Sequence, residues 1–279
     1  MARMFGLRWM VTTDHGGPNH SKVNLVEAYR ELILSRTLVT EVLQFYGMEL
    51  NLPGMDHHTL IIPRAEDEAS VLYEIERQFD ANEDWARPPD PRRRSEALRH
   101  GALEYMKSLE RLPILFANHP SRSARALGKY GLDQPQEIRG NNDLAPEIYR
   151  GMEGAPGHQA ATLSPFGVRS SQERPRRFRG NYNNVGAGTL GGFDQMTALV
   201  GGLWDTLLGE GRRFWIVASS DSHFHYTDVV RQGQDFWPGE FHKTYVKARA
   251  THEDVLAGLR MGRVFTVAGD LIDELDVEA

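Results

Sequence analysis

Apolar residues recur along this chain in runs with two different periods, and the alternation between them predicts the elements. Residues 8–13, R-W-M-V-T-T, are a short apolar run closing on Asp14-His15-Gly16-Gly17, the pattern of a strand followed by a loop. Over residues 22–45, Val23, Leu25, Val26, Tyr29, Leu32, Ile33, Leu38, Val39, Val42 and Leu43 fall at intervals of three and four. That spacing predicts an amphipathic helix, with an interruption near Ser35. Two further runs, 45–49 and 58–63, bracket N-L-P-G, and the second, H-T-L-I-I-P, is a β-type run stopped by proline. Helices are expected over 67–80 and 95–110, joined by the proline-rich, basic loop A-R-P-P-D-P-R-R-R. Leu112–Ala117 predicts a buried strand ending at Asn118-His119-Pro120.

Residues 132–191 break the pattern. They are rich in Gly, Pro, Asn and Arg and carry little periodicity outside Glu147–Glu153, so an irregular insert surrounding a functional site is expected there. Periodicity returns in a helix near Phe193–Leu208, and F-W-I-V-A at 214–218 reads as a strand. A strand over Thr244–Ala248, a helix over Glu253–Leu259 capped by Thr251 and a strand over Arg263–Val267 follow. This order predicts an α/β protein, barrel or open sheet, in a single domain over 1–279.

Composition narrows the chemistry. The chain has 279 residues, 40% hydrophobic and 25% charged, as in ordinary globular proteins. It has no cysteine, which excludes disulfides, thiolate metal sites and cysteine nucleophiles. The formal net charge of −6 argues against a sleeve for extended nucleic acid. The apolar runs are too short to cross a membrane, and no signal peptide is visible in the first residues, which favours the cytoplasm. No phosphate-binding Gly-x-x-x-x-Gly-Lys loop or dinucleotide-binding glycine pattern occurs.

Four polar clusters adjoin the apolar strands: Asp14-His15, Glu49 with His57-His58, His119, and Asp221-x-His223. In a parallel β/α framework, groups at strand ends face one rim. Carboxylate and imidazole together suit a borderline divalent ion such as zinc, manganese or iron. The set is large enough for two ions, which lower the pKa of a bound water and neutralise charge on a phosphoryl group. Hydrolysis of a phosphate ester through a metal-activated hydroxide is the natural expectation. Arg122, just behind His119, is the first candidate to contact an anionic small-molecule substrate, and His225 is a candidate to face it. His158 lies in a turn-rich segment, while His20, His100, His242 and His252 read as surface or capping residues.

The ordered motifs resemble those of the PHP superfamily, the metal-dependent phosphoesterases named for polymerase and histidinol phosphatase. T-T-D-H at 12–15, G-M-E-L-N at 47–51 followed by H-H-T-L, N-H-P at 118–120, S-D-S-H at 220–223 and G-R-V-F-T-V-A-G-D at 262–270 carry the likeness. The resemblance implies a distorted seven-stranded β/α barrel with two or three zinc, manganese or iron ions at its rim. It implies that Glu49 bridges two ions and that Asp221 completes the first. His119, with His57 or His58, would serve the second, and His15 and His223 the third; relatives slightly favour His57.

Members of that superfamily begin with a strand carrying His-x-His, and residues 1–11 here contain no histidine. The expectation is a barrel lacking its first strand, with a truncated chain as one origin. A strand edge exposed in this way is a route to homo-oligomers. Two alternatives stay open at this point. One is a metal-dependent hydrolase of amides, carbamates or lactones, and the other a non-catalytic domain that binds metal or ligand.

Overall fold

Side chains alternate across a strand, and this sorts the chain into two faces. On β2 (Leu43–Asn51), Tyr46, Met48 and Leu50 join one apolar cluster, while Phe45, Gly47, Glu49 and Asn51 point the other way. On β3 (His57–Ile62), Leu60 and Ile62 join the same cluster and leave Ile61, Thr59 and His57 on the opposite face. On β4 (Ile114–Ala117), Leu115 and Ala117 pack outward and Ile114 and Phe116 inward. The inner face therefore starts apolar at one end, with Phe45, Ile61 and Phe116, and turns polar at the other.

A computed structural model describes residues 1–83, 90–124, 126–157, 190, 192–222, 237–269, 271, 272, 274 and 275. β1 (Trp9–His15), β2, β3, β4, β5 (Tyr149–Pro156) and β6 (Trp215–Ser219) form one mixed sheet in that order. β1 runs parallel to β2, β4 to β5 and β5 to β6, whereas β3 is antiparallel to both its neighbours. The sheet is curled and open. A cavity of about 550 Å³ is lined by Trp9–His15 on one side and Val217–Ser222 on the other, so the two edge strands face each other across it. The result is part of a β/α barrel, with six strands in its main sheet. A separate antiparallel pair, β7 (His242–Val246) and β8 (Val264–Ala268), lies beside β6. The Thr244 hydroxyl donates to the Ala218 carbonyl and accepts from the Ala218 N–H, each at 2.8 Å.

Helices cover the outer face. α1 (His20–Val23) passes through a π-helical stretch at Asn24–Ala28 into α2 (Tyr29–Leu38). α3 (Glu68–Phe79) buries Leu72, Ile75 and Phe79 at helical spacing, and α4 (Glu96–Ser108) buries Ala102, Leu103 and Met106. Ser95 caps α4 by accepting from the Leu98 N–H at 3.2 Å. α5 (Pro135–Leu144) starts with a proline and a capping box between Gln134 and Glu137. α6 (Gln195–Ala198) and α7 (Leu203–Gly209) precede β6. α8 (His252–Arg260), capped by Thr251, turns Val255, Leu256 and Leu259 onto Phe45, Ile61 and Phe116, which closes the apolar end of the curled sheet. Among the described residues no helix is long and apolar enough to cross a membrane.

Several expectations change. The first helix ends at Leu38, and Leu43 opens β2 instead, because the run Phe45–Leu50 is buried on both faces and suits a central strand. The stretch read as an irregular insert contains α5 and β5; its residues 158–189 and 191 lie outside the described ones. The helix expected at 193–208 is two short helices, broken where Gly201 takes φ of 72°. His242 is not a surface group, and His20, partly exposed at the start of α1, is held by an acidic partner. His20 Nδ1 lies 2.6 Å from Glu76 Oε1, and that hydrogen bond raises its pKa. His242 is 2% exposed.

Two consequences are measurable. A Cβ on Gly151 of β5 would lie 2.0 Å from the Trp215 carbonyl oxygen on β6, whereas one on Gly140 of α5 meets nothing within 4 Å. Gly151→Ala should cost about 3 kcal/mol by forcing the strands apart, and Gly140→Ala should gain up to about 1 kcal/mol from the reduced freedom of the unfolded helix segment. Equal effects in urea unfolding would contradict the close approach. Burial also holds His58 at about 3 and His242 at about 4, against the ordinary 6.5. The unfolded chain takes up these protons as pH falls through 6.5 and the folded chain does not. The contribution of these two groups should therefore be full above pH 6.5 and fall below it, by about 1.4 kcal/mol per pH unit for each. His242→Phe should flatten the slope between pH 6.5 and 4, and an unchanged slope would exclude the neutral buried imidazole.

Candidate metal centre at the polar rim

The polar end of the inner face gathers residues from five strands. In register, His15 of β1 stands opposite Glu49 of β2, Glu49 opposite Thr59 of β3, and Asn51 opposite His57. β3 runs antiparallel, so its first residue, not its last, reaches the rim. The expected parallel framework is corrected on this point, while the convergence of the clusters comes from the reversed strand itself. Past β4, Asn118 and His119 continue to the same rim, and past β6 so does Asp221.

Glu49 is at the centre. Its Oε1 lies 3.0 Å from His57 Nδ1 and 3.0 Å from His119 Nε2, and it accepts from Asn118 Nδ2 at 3.3 Å. His15 Nε2 is 3.6 Å from Oε2. The imidazoles of His15 and His57 meet edge to face with centroids 4.2 Å apart, and those of His57 and His119 do so at 5.3 Å. The Glu49 carboxylate is 5% exposed. Burial opposes its charge, yet the hydrogen bonds from His119 and His57 outweigh burial and hold its pKa well below the usual carboxylate range. Burial likewise pulls His119 down, and the hydrogen bond to Glu49 overcomes it to leave His119 at about 9. His15 is lowered, because its desolvation exceeds the attraction of Glu49.

Two overlapping groups have ligand atoms close enough to hold one ion each: His15, Glu49 and His57, and Asp56, His57 and His119. The residues fit such a role on more than proximity. Among the described residues, His119 Nδ1 and Asp56 Oδ2 are buried without a hydrogen-bond partner, an arrangement that folding penalises and a cation would relieve. The donor set of carboxylate oxygen and imidazole nitrogen suits a borderline divalent ion. Arg122 Nη2 donates to Asp56 Oδ1 and stands 3.4 Å from His57 Nε2, which sets a guanidinium at the edge of the second group. Burial raises Asp56, but the positive charges of His119, Arg122 and His57 prevail and lower its pKa.

Not every expected residue reaches this rim. His58 points into the helix-covered face, with Nδ1 3.0 Å from the Asp56 carbonyl oxygen and Nε2 3.0 Å from the Tyr149 hydroxyl. Both nitrogens are occupied, and strand alternation separates His58 from its neighbour His57. Asp221 lines the cavity, and its charge acts on His15, His119 and Glu153. His223, His225 and His158 lie outside the described residues.

Three participants were not foreseen as site residues. Asp56 immediately precedes His57, a carboxylate at a strand entrance. Asn118 Oδ1 accepts from Thr59 N–H at 2.9 Å and from the Thr59 hydroxyl at 2.7 Å. Glu153 is 2% exposed in β5, accepts from the His119 N–H at 2.7 Å and from the Ser219 hydroxyl, and is pushed up to about 7 by burial. The signal in sequence was a single acidic residue inside the otherwise uncharged run G-M-E-G-A-P.

The architecture and the paired clusters together resemble a PHP-like metal-binding fold. Comparison of the chain with family models, curated proteins and solved structures returns no match.

Proposed function

We propose that this protein is a metal-dependent hydrolase of phosphate mono- or diesters, related to the PHP superfamily by its fold and its rim. The observation that carries the reading is the buried Glu49 carboxylate held against His15, His57 and His119. In this reading His15, Glu49 and His57 hold one divalent ion, zinc, manganese or iron, and His57, His119 and Asp56 a second, with Asp221 and His223 as further ligands. Such ions supply a nucleophilic hydroxide near neutral pH and neutralise phosphoryl charge.

The chain's own residues supply orientation and charge. Asn118 donates to Glu49 and accepts from Thr59, which fixes the carboxylate plane. Arg122, steadied by Asp56 and 29% exposed in its side chain, is the cation we assign to an anionic substrate. A guanidinium beside the Asp56, His57 and His119 group favours a phosphate over an uncharged amide, carbamate or lactone. His225 keeps its role as a candidate substrate contact.

Metal-free protein should take up about two equivalents of manganese or zinc and then hydrolyse members of a panel of nucleotide and sugar phosphates. Glu49→Gln should weaken metal binding more than about 100-fold and abolish turnover, while Arg122→Gln should raise KM about tenfold with a smaller change in kcat. Turnover of carbamates or lactones but of no phosphate ester would move the assignment to carbonyl chemistry, and metal uptake without turnover of either class would leave a binding domain. Because His119 carries a proton below about pH 9 in the metal-free protein, binding at pH 7.5 should release about one proton from it. Calorimetry in two buffers of different ionisation enthalpy checks this, and affinity should climb from pH 6.5 towards 9. A pH-independent affinity would contradict the Glu49–His119 pairing.

A further inference from the structure

The turns after β4 and β6 are built alike. Each strand runs out in a residue with positive φ that is not glycine: His119 at 30° and Asp221 at 48°. Side chains rarely adopt this backbone region, and where they do the surroundings must hold them there. Among the described residues, Asn19 is the one other non-glycine residue with positive φ.

The strand between these two turns is β5, and Glu153 is the residue that reaches both. One carboxylate oxygen, Oε2, accepts from the His119 backbone N–H at 2.7 Å. The other, Oε1, accepts from the hydroxyl of Ser219, the last residue of β6, two positions before Asp221. β5 is irregular at this point: its register with β6 shifts between Glu153 and Ala155. Bulges of this kind re-aim a side chain, and they concentrate beside functional sites. Gly154 follows directly, and a Cβ there would press to 2.8 Å from Ile216 on β6. Glu153 itself stays in register opposite Val217, so alternation from Met152, which packs beneath the helices, turns it to the cavity wall, and the irregularity begins just past it.

We propose that Glu153 is a positioning residue for the metal centre, a carboxylate brace that fixes the backbone of His119 and the β6 turn leading to Asp221 at one spacing. It touches no reacting atom in this assignment. It acts through His119 and through Ser219, so that imidazole and carboxylate from two separate strands present themselves to the same ion. The inference rests on the metal-centre reading above, and it predicts a hierarchy among substitutions. Gln keeps an oxygen to accept from the His119 N–H and an amide able to donate to the Ser219 oxygen. Ala keeps neither, and Ser219→Ala removes one arm alone.

The test is metal affinity, measured on metal-free protein by competition with a chromogenic chelator, beside the Co(II) absorption spectrum and the thermal midpoint of each metal-free variant. Glu153→Ala should lose about 10- to 100-fold in affinity and change the Co(II) bands, and Glu153→Gln should restore both to near wild type. Ser219→Ala should fall between, with a metal-free thermal midpoint close to that of wild type. If Glu153→Ala and Ser219→Ala both bind metal with wild-type affinity and spectrum, and only the thermal midpoint falls, the brace is structural and the inference is overturned. Failure of Glu153→Ala to fold leaves Ser219→Ala and Glu153→Gln to decide the matter by the same readouts. If the wild type takes up no metal, the metal-centre reading falls and this inference with it.

Discussion

A carboxylate buried among three imidazoles is the constraint around which this molecule is arranged. Glu49 could not remain ionised at 5% exposure without compensation, because the desolvation of a lone charge in a protein interior costs several kcal/mol. His57, His119 and Asn118 supply three contacts to one of its oxygens, and His15 approaches the other. These partners come from three parts of the chain: β1, the start of β3, and the turn after β4. Their convergence requires that the sheet be curled, that β3 run against its neighbours, and that the register His15–Glu49–Thr59 be kept. A slip of one residue in β2 would turn Glu49 into the apolar layer beneath the helices and Met48 or Leu50 into the cavity.

The two ends of the inner face follow from the same period. Phe45, Ile61 and Phe116 lie on the same strand faces as Glu49, His57 and Asn118, a few residues along. α8 packs Val255, Leu256 and Leu259 against the apolar end, away from the polar residues at the rim. The floor keeps water from the strand interior and the rim collects charge. That division is the physical basis for reading the rim as a metal centre.

Much of this was legible in the sequence, and the failures have identifiable causes. The ends of α3, α4 and α8 could be read within a residue or two, because their apolar spacing and their caps at Ser95 and Thr251 agree. The T-T-D-H, E-L-N and N-H-P segments could be placed at strand ends because each follows an uninterrupted apolar run. The boundary at Leu38 was missed because Val42 and Leu43 satisfy helical spacing by coincidence, and only burial on both faces of β2 reveals the strand. His57 and His58 could not be separated firmly from sequence, since which of two adjacent residues faces the cavity depends on pairing partners far along the chain. Glu153 was passed over for a similar reason: the groups its carboxylate accepts from, at His119 and Ser219, lie 34 and 66 residues away, and no local composition encodes them. His242 looked like a surface group, yet it is buried in β7 with Phe193, distant in sequence, and its neighbour Phe241 beside its ring.

In the proposed reading, Glu49 and its three imidazoles exist to hold metal. Anomalous diffraction at the manganese or zinc edge, from crystals grown with the ion, tests it most directly. A strong peak is expected within bonding distance of Glu49 and of at least one of the His15, His57 and His119 nitrogens, with the present imidazole–carboxylate hydrogen bonds replaced by metal bonds. A structure at saturating metal in which no peak falls at this rim, and in which Glu49 still accepts hydrogen bonds from His57 and His119, would contradict it.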